Sequence, residues 1–361
     1  MKKDEHDILR HLRLRFLGPA MMPVQNENKA ISASVLILAL WTVFFLAALT
    51  IAVSAIVSAN LTLAGRLKDG VTARYLAKAG IERAIMEIVS DTNSWDGLTE
   101  SWSNNGKLFK DYPVKEGVFS IIYRVSLSRS GGDTLCYGVI DEERKININK
   151  ADKELLEMSL EVLGGLTQME ASDIAASIMD WRDEDDEILT GGAENRYYAG
   201  LKSAYTCHNG SFGSIYELLL VKGVKGELFS KIARHITVYG TGKVNINTAD
   251  AVVLRVLAGW RDMESRNIVE SLIDKIVKFR EAGNTFVQPK ASAIVGQLNE
   301  FVRLESSEQT ILLGMIKNIT ISSTCFSGFA EAKLAGANTP GKFMEFVFDR
   351  NRQEILYWHE R

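Results

Sequence analysis

The densest chemistry in the chain is a run of acids, Asp180-Trp181-Arg182-Asp183-Glu184-Asp185-Asp186-Glu187, followed by Gly191-Gly192 and then Glu194. Six of the eight residues from Asp180 to Glu187 are acidic, and like charges this close oppose one another unless water or a cation neutralises them. A hard cation such as calcium takes ~6 to 8 oxygen ligands, gathered by a flexible loop of alternating acids with a later glutamate. Asp183, Asp185 and Glu187 alternate, and Glu194 stands eleven residues after Asp183, the EF-hand spacing. Ile188 occupies the place where an EF-hand turn requires glycine, so the loop is not an EF-hand. Two readings stay open: a differently folded calcium loop, or a solvated acidic loop. Acid–base catalysis finds no companion, since the five histidines lie outside any HExxH or triad pattern and no GxSxG or phosphate loop occurs. No enzymatic activity is expected.

The elements that carry this loop are unevenly composed. The 361 residues are 46% hydrophobic and 24% charged, with a net charge of -3, which excludes wholesale disorder and a general polyanion binder. Cys136, Cys207 and Cys325 leave open one disulfide with one free thiol, or three buried thiols. No charged residue occurs between Lys29 and Arg66, and Val35–Ala59 is long enough to cross a bilayer, which takes about 20 apolar residues. Arg10, Arg13, Arg15 and Lys29 precede it and favour a cytoplasmic N-terminus. Beyond it, apolar residues recur at helical spacing to Val89, with Gly65, Gly70 and Gly80 as places to bend. Residues 91–113 are rich in Asn, Ser, Gly and Asp and read as a loop. Residues 117–127 and 134–140 read as a hairpin around SRSGGD, and three short strands close the chain.

The middle contains a repeat: KININKAD (Lys145–Asp152) and KVNINTAD (Lys243–Asp250), offset by 98 residues, each opening a helix whose start its Asn and Thr side chains are expected to cap. Further helices are expected over Ala171–Asp180, Ile215–Val221 and Asn267–Phe279. Such repeats also open helix-hairpin-helix units that hold DNA phosphates. The candidate hairpins, Leu257–Trp260 and Gly223–Gly226, lack a clean Gly-Ile-Gly turn. Residues 151–190 hold 12 acids against 2 bases, a balance that repels a phosphate backbone.

The segments SASVLILALWTVFFLAAL (Ser32–Leu49) and ARYLAKAGIERAI (Ala73–Ile85) resemble the start of the type II secretion minor pseudopilins of the K family, and the N-I-N repeats resemble that family's helical insertion. The resemblance implies an α+β, pilin-like fold, in which a long N-terminal transmembrane helix packs on an antiparallel sheet and an all-helical domain is inserted. The expected organisation is a cleaved cytoplasmic leader (1–33), the long helix (34–90, spanning at 35–59), a first β region (91–140), the inserted domain (141–309) and the C-terminal strands (310–361). The resemblance places prepilin peptidase cleavage between Ala33 and Ser34. It puts Leu38 at the fifth mature position, where most pseudopilins carry a glutamate. This chain's Glu5 belongs to the leader, ahead of the cut, and does not fill that place. The resemblance matches Asp180, Asp183, Asp185 and Glu194 to calcium ligands, with Asp186 and Glu187 as additional ones. It also implies a subunit of the inner membrane with a periplasmic head. The expected partners are other minor pseudopilins, the major pseudopilin, prepilin peptidase and membrane lipid, with no nucleic acid. A membrane-anchored DNA-binding protein is the alternative.

Overall fold

The computed structural model describes residues 27–115, 117–126, 133–260, 262–335 and 341–360, with side chains from Ser34 onward. The leader up to residue 26, Glu5 included, and residues 128–132 of the expected SRSGGD turn (128–133) lie outside the described residues. The chain forms two compact units, one up to Gly65 and one from Arg66 onward.

α1 (Glu27–Ser90) runs through the first unit, where Val35, Leu38, Trp41, Phe44 and Ile51 are exposed among the described residues. From Ser34 the helix is long and apolar enough to cross a membrane, with a mean hydropathy of 2.6 over its most apolar stretch.

The second unit contains the last turns of α1 and everything after it. α2 (Gly106–Phe109) leads into β1 (Tyr112–Val114), β2 (Gly117–Ser126), β3 (Asp133–Tyr137) and β4 (Ile140–Asp141). The insertion then supplies β5 (Ile146–Asn147), α3 (Lys153–Gly164), α4 (Gln168–Arg182), α5 (Asn195–Ala199), α6 (Gly226–Ile232), β6 (Ile236–Thr237) and β7 (Val244–Asn245). It continues through α7 (Ala251–Ala258), α8 (Met263–Glu281), α9 (Ala291–Phe301), α10 (Ser306–Met315) and β8 (Ile319–Thr320). β9 (Cys325–Leu334), β10 (Lys342–Asp349) and β11 (Glu354–Glu360) complete the chain.

The main sheet is antiparallel, in the order β1-β2-β9-β10-β11, with β3 also on β2 and β4 on β9. Leu76, Ala77, Ile81, Ala84 and Ile88 form a stripe at helical spacing on α1, buried against Phe119, Ile121, Phe326, Met344 and Phe346. Each large side chain in that stripe contributes ~1.5 to 3 kcal/mol by burial. Gly80 is no bend: α1 continues through it, and an added Cβ would stand 2.8 Å from the Phe119 ring. Glycine here lets helix and sheet approach closely.

β4 pairs with β9, Ile140 opposite Ser327 and Asp141 opposite Phe326, so the insertion leaves and re-enters the sheet on adjacent strands. It therefore extends past the expected boundary at 309 to residue 324. The reason is that Ile319–Thr320 pairs with β7 rather than with the main sheet. Nor is the insertion all helical, because β5–β6 and β7–β8 are short parallel ladders. One core runs through it, from Ile146, Leu156 and Trp181 to Leu254, Ile273 and Phe286.

The repeat extends to its hydrogen bonds. Asn149 exchanges two with the backbone of Phe212 (3.0 and 2.8 Å), and Asn247 does the same with Phe286 (3.0 and 2.9 Å). Arg182 donates to the carbonyls of Ile148 and Ala151, and Arg280 to those of Ile246 and Ala249. The asparagines thus pin distant loops instead of capping helices. Asp152 caps α3 by accepting from Leu155 N at 2.8 Å.

Candidate metal centre

Within this repeat, Arg182 and Phe212 are 30 positions apart, whereas Arg280 and Phe286 are 6 apart. The acidic run occupies that extra length, as an excursion from a scaffold whose other copy does without it. α4 begins at a reciprocal Thr167–Glu170 capping box and ends at Arg182, so Asp180 lies in its last turn and Asp183 is its C-cap. Trp181 turns inward and meets Tyr198 edge-on at 5.1 Å, with Tyr205 and Phe212 beside it. These rings and Arg182 fix the floor from which the carboxylates rise. The three cysteines are buried, free thiols.

Asp180 is completely buried and accepts from Leu189 N at 3.2 and 3.3 Å. The loop passes so close that a Cβ on Gly192 would lie 2.0 Å from Asp180 Oδ2. Gly191, at φ 86°, adopts the left-handed backbone that the turn requires. Lys222 holds the loop from beneath through the carbonyls of Gly191 (2.9 Å) and Gly192 (3.0 Å).

Glu194 takes the N-cap position of α5 yet makes no capping bond, and both its carboxylate oxygens are buried without a hydrogen-bond partner. Asp183 Oδ1 and Asn209 Oδ1 are likewise buried and unpartnered. Burial, then the charges of Asp180 and Asp183, raise Glu194 to about 7. Burial, then Asp185 and Asp180, raise Asp183 to about 6. Asp180 is also raised, chiefly by burial. Carboxylates that lack donors and crowd one another in this way are deficient in positive charge.

Asp185 and Asp186 lie on the exposed rim. Asp185 Oδ1 accepts from Glu187 N (2.8 Å), and Asp186 Oδ1 accepts from Asn195 Nδ2 (2.7 Å) and Asn209 Nδ2 (3.3 Å). Glu187 is exposed on the same rim. The orphaned oxygens are all hard donors, the kind that a calcium-type cation takes as ligands. Asn209, Asn195 and Lys222 were not legible in the sequence as part of this site, because they follow the acidic run at a distance and carry no recognisable spacing.

A second acidic group comes from the loop after α1. Oxygens of Asp91, Asp96 and Glu100 converge within 4.8 Å of one another. Here Arg350 supplies the positive charge, with bonds of 2.9 and 2.8 Å to Asp96 and an approach of 3.8 Å to Asp91. Glu100, raised to about 7 mainly by burial, accepts from Asn93, Gly97 and Trp102. This cluster ties the loop to the turn after β10.

At the other end, Ala33 and Ser34 lie within α1, and Leu38 is an exposed apolar residue on it. Leu38 brings no carboxylate to this part of the helix, and Glu5 is outside the described residues.

Residues 143–241, the first repeat with its acidic loop, match the family described as type II secretion system (T2SS), protein K. Type II secretion system protein K of Aeromonas hydrophila is 28% identical over 181 residues, covering 48% of this chain and 52% of that protein. Its counterpart in Pectobacterium carotovorum subsp. carotovorum is 26% identical over 222 residues, covering 58% and 64%. The chain thus spans between half and two-thirds of the length of these relatives. The fold is shared with a chain of the crystal structure of the GspK-GspI-GspJ complex from the enterotoxigenic Escherichia coli type 2 secretion system. The TM-score is 0.60 at 14% identity, over 82% of this chain and 98% of that one. In sequence around its acidic loop the chain resembles the K proteins of type II secretion systems, and over most of its length it shares the fold of a chain from the GspK-GspI-GspJ complex.

Proposed function

We propose that this chain is a minor pseudopilin of a type II secretion system, a structural subunit of the pseudopilus tip that helps to start assembly with other minor pseudopilins and the major pseudopilin. The observation that carries this reading is the combination in one chain of an uncovered, lipid-length helix with the sheet-and-insertion fold found in the GspK-GspI-GspJ complex. The helix would anchor the subunit in the inner membrane, with the head on the periplasmic side, until it passes into the filament. Prepilin peptidase would cut between Ala33 and Ser34, removing the leader with its Glu5. Leu38 stands where a glutamate would neutralise a neighbour's N-terminal amine in lipid. A subunit without that carboxylate need not sit beneath another, which suits the tip.

Calcium would be held by Asp180, Asp183 and Glu194, with Asp185, Asp186 and Glu187 as rim ligands and Asn209 Oδ1 as a neutral donor. It would supply the positive charge that the buried carboxylates lack, stapling the loop to the helices. The DNA-binding alternative gains nothing from the fold: Gly223 and Gly226 lead only into the short helix α6, beside the acidic excursion.

Affinity purification of the full chain from detergent-solubilised membranes, co-expressed with the other pseudopilins and the prepilin peptidase, tests the reading. The expected result is recovery of the minor pseudopilins with a chain whose mass begins at Ser34. Absence of pseudopilins, together with tight and salt-sensitive DNA binding, would overturn it.

A further inference from the structure

The sheet face turned away from α1 departs from the usual alternation, in which an antiparallel sheet with one covered face turns polar side chains outward. On this face lie Ile122, Phe329, Phe343, Val347 and Tyr357, with Phe329 37% and Phe343 39% exposed. The rim of the insertion stands over it and contributes Tyr216, which is 60% exposed. Between them runs a groove of about 580 Å³. That volume falls within the ~300 to 1,000 Å³ typical of ligand sites.

The charges in the groove are asymmetric in their availability. Its two carboxylates are engaged: Glu142 accepts from Lys145 (2.6 Å), Thr237 (2.6 Å) and Ser327 (2.5 Å), and Glu345 has a partner of its own. Arg124 and Arg234 are exposed and make no ion pair or hydrogen bond among the described residues. A guanidinium is a rigid fork matched to a carboxylate, and arginine beside aromatic residues is typical of binding hot spots.

We propose that this groove docks an extended, acidic segment of a partner polypeptide, which lays apolar side chains on the sheet face and carboxylates against Arg124 and Arg234. The proposal does not depend on the calcium site.

The test uses the full chain in detergent micelles and fluorescence polarisation of a labelled hexapeptide alternating Asp or Glu with Phe or Val. Its controls are the same peptide with Lys for each acid, which partitions into micelles similarly, and one with Ser for each apolar residue. The acidic, apolar peptide should bind at least tenfold tighter than either control. The double variant R124E/R234E, on exposed positions and with unchanged circular dichroism, should lose at least tenfold for the acidic peptide and gain for the Lys peptide. Failure of the acidic peptide to bind, equal binding of the acidic and Lys peptides, or no effect of the double variant would overturn the proposal. So would concentration-dependent dimerisation removed by R124E/R234E, which would make a second copy of the chain the occupant.

Discussion

Glu194 concentrates the physics of the acidic loop in one side chain. Its folded value of about 7 lies above the ordinary 4.5, so without metal its contribution favours the folded state below the ordinary value and is lost as pH rises through about 7. Asp183, at about 6, behaves the same way. A bound cation reverses the preference by requiring both ionised. The melting temperature of the full chain in calcium, minus that in chelator, should therefore widen from pH 5.5 to pH 8. At 100 times Kd the ion contributes ~2.7 kcal/mol, a shift of several degrees. Glu194→Gln should raise the melting temperature of the chelated protein at pH 8 and shrink the gap. A gap that ignores both pH and this substitution would remove Glu194 from the cation's shell. The sequence revealed the acids because they are contiguous. It could not reveal which of them fold inward, a distinction set by the rings around Trp181 and by Gly192.

At the scale of elements, the twin N-I-N segments were legible as a repeat because identical side chains recur at a fixed offset. Their partners were not, since β6 and β8 are two residues long and carry no periodicity. α9 and α10 escaped for a related reason: their apolar faces are short, with Ile294 and Leu298 buried in one and Leu312 and Met315 in the other. The repeat now makes a prediction about the loop. Replacing residues 183–211 with a copy of residues 281–285 should leave the insertion folded, as judged by helical circular dichroism and a cooperative melt, while abolishing the calcium response. An unfolded insertion would mean that the acidic loop is part of the scaffold rather than an excursion from it.

Across the whole second unit, Asp141 is the tie between sheet and insertion. Buried at the end of β4, it accepts from Glu143 N (2.8 Å), Asn245 Nδ2 (3.1 Å), Thr248 Oγ1 (2.5 Å) and Ser323 Oγ (2.7 Å). Asp141→Ala would strand those donors at a cost of ~1 to 3 kcal/mol for each one left unsatisfied, seen as a lowered midpoint in urea. An unchanged midpoint would show that water replaces the carboxylate. The pairing of β4 with β9 also bears on how the chain folds. β2 and β9 are neighbours in the sheet, yet the entire insertion lies between them in sequence. Joining them from an unfolded chain would mean closing a very long loop, which slows folding. Once the insertion has folded, its two ends emerge one strand spacing apart, ~4.8 Å, and the long-range closure becomes a local one. An insertion that folds first would thus template the completion of the sheet, with β9 to β11 expected to join last.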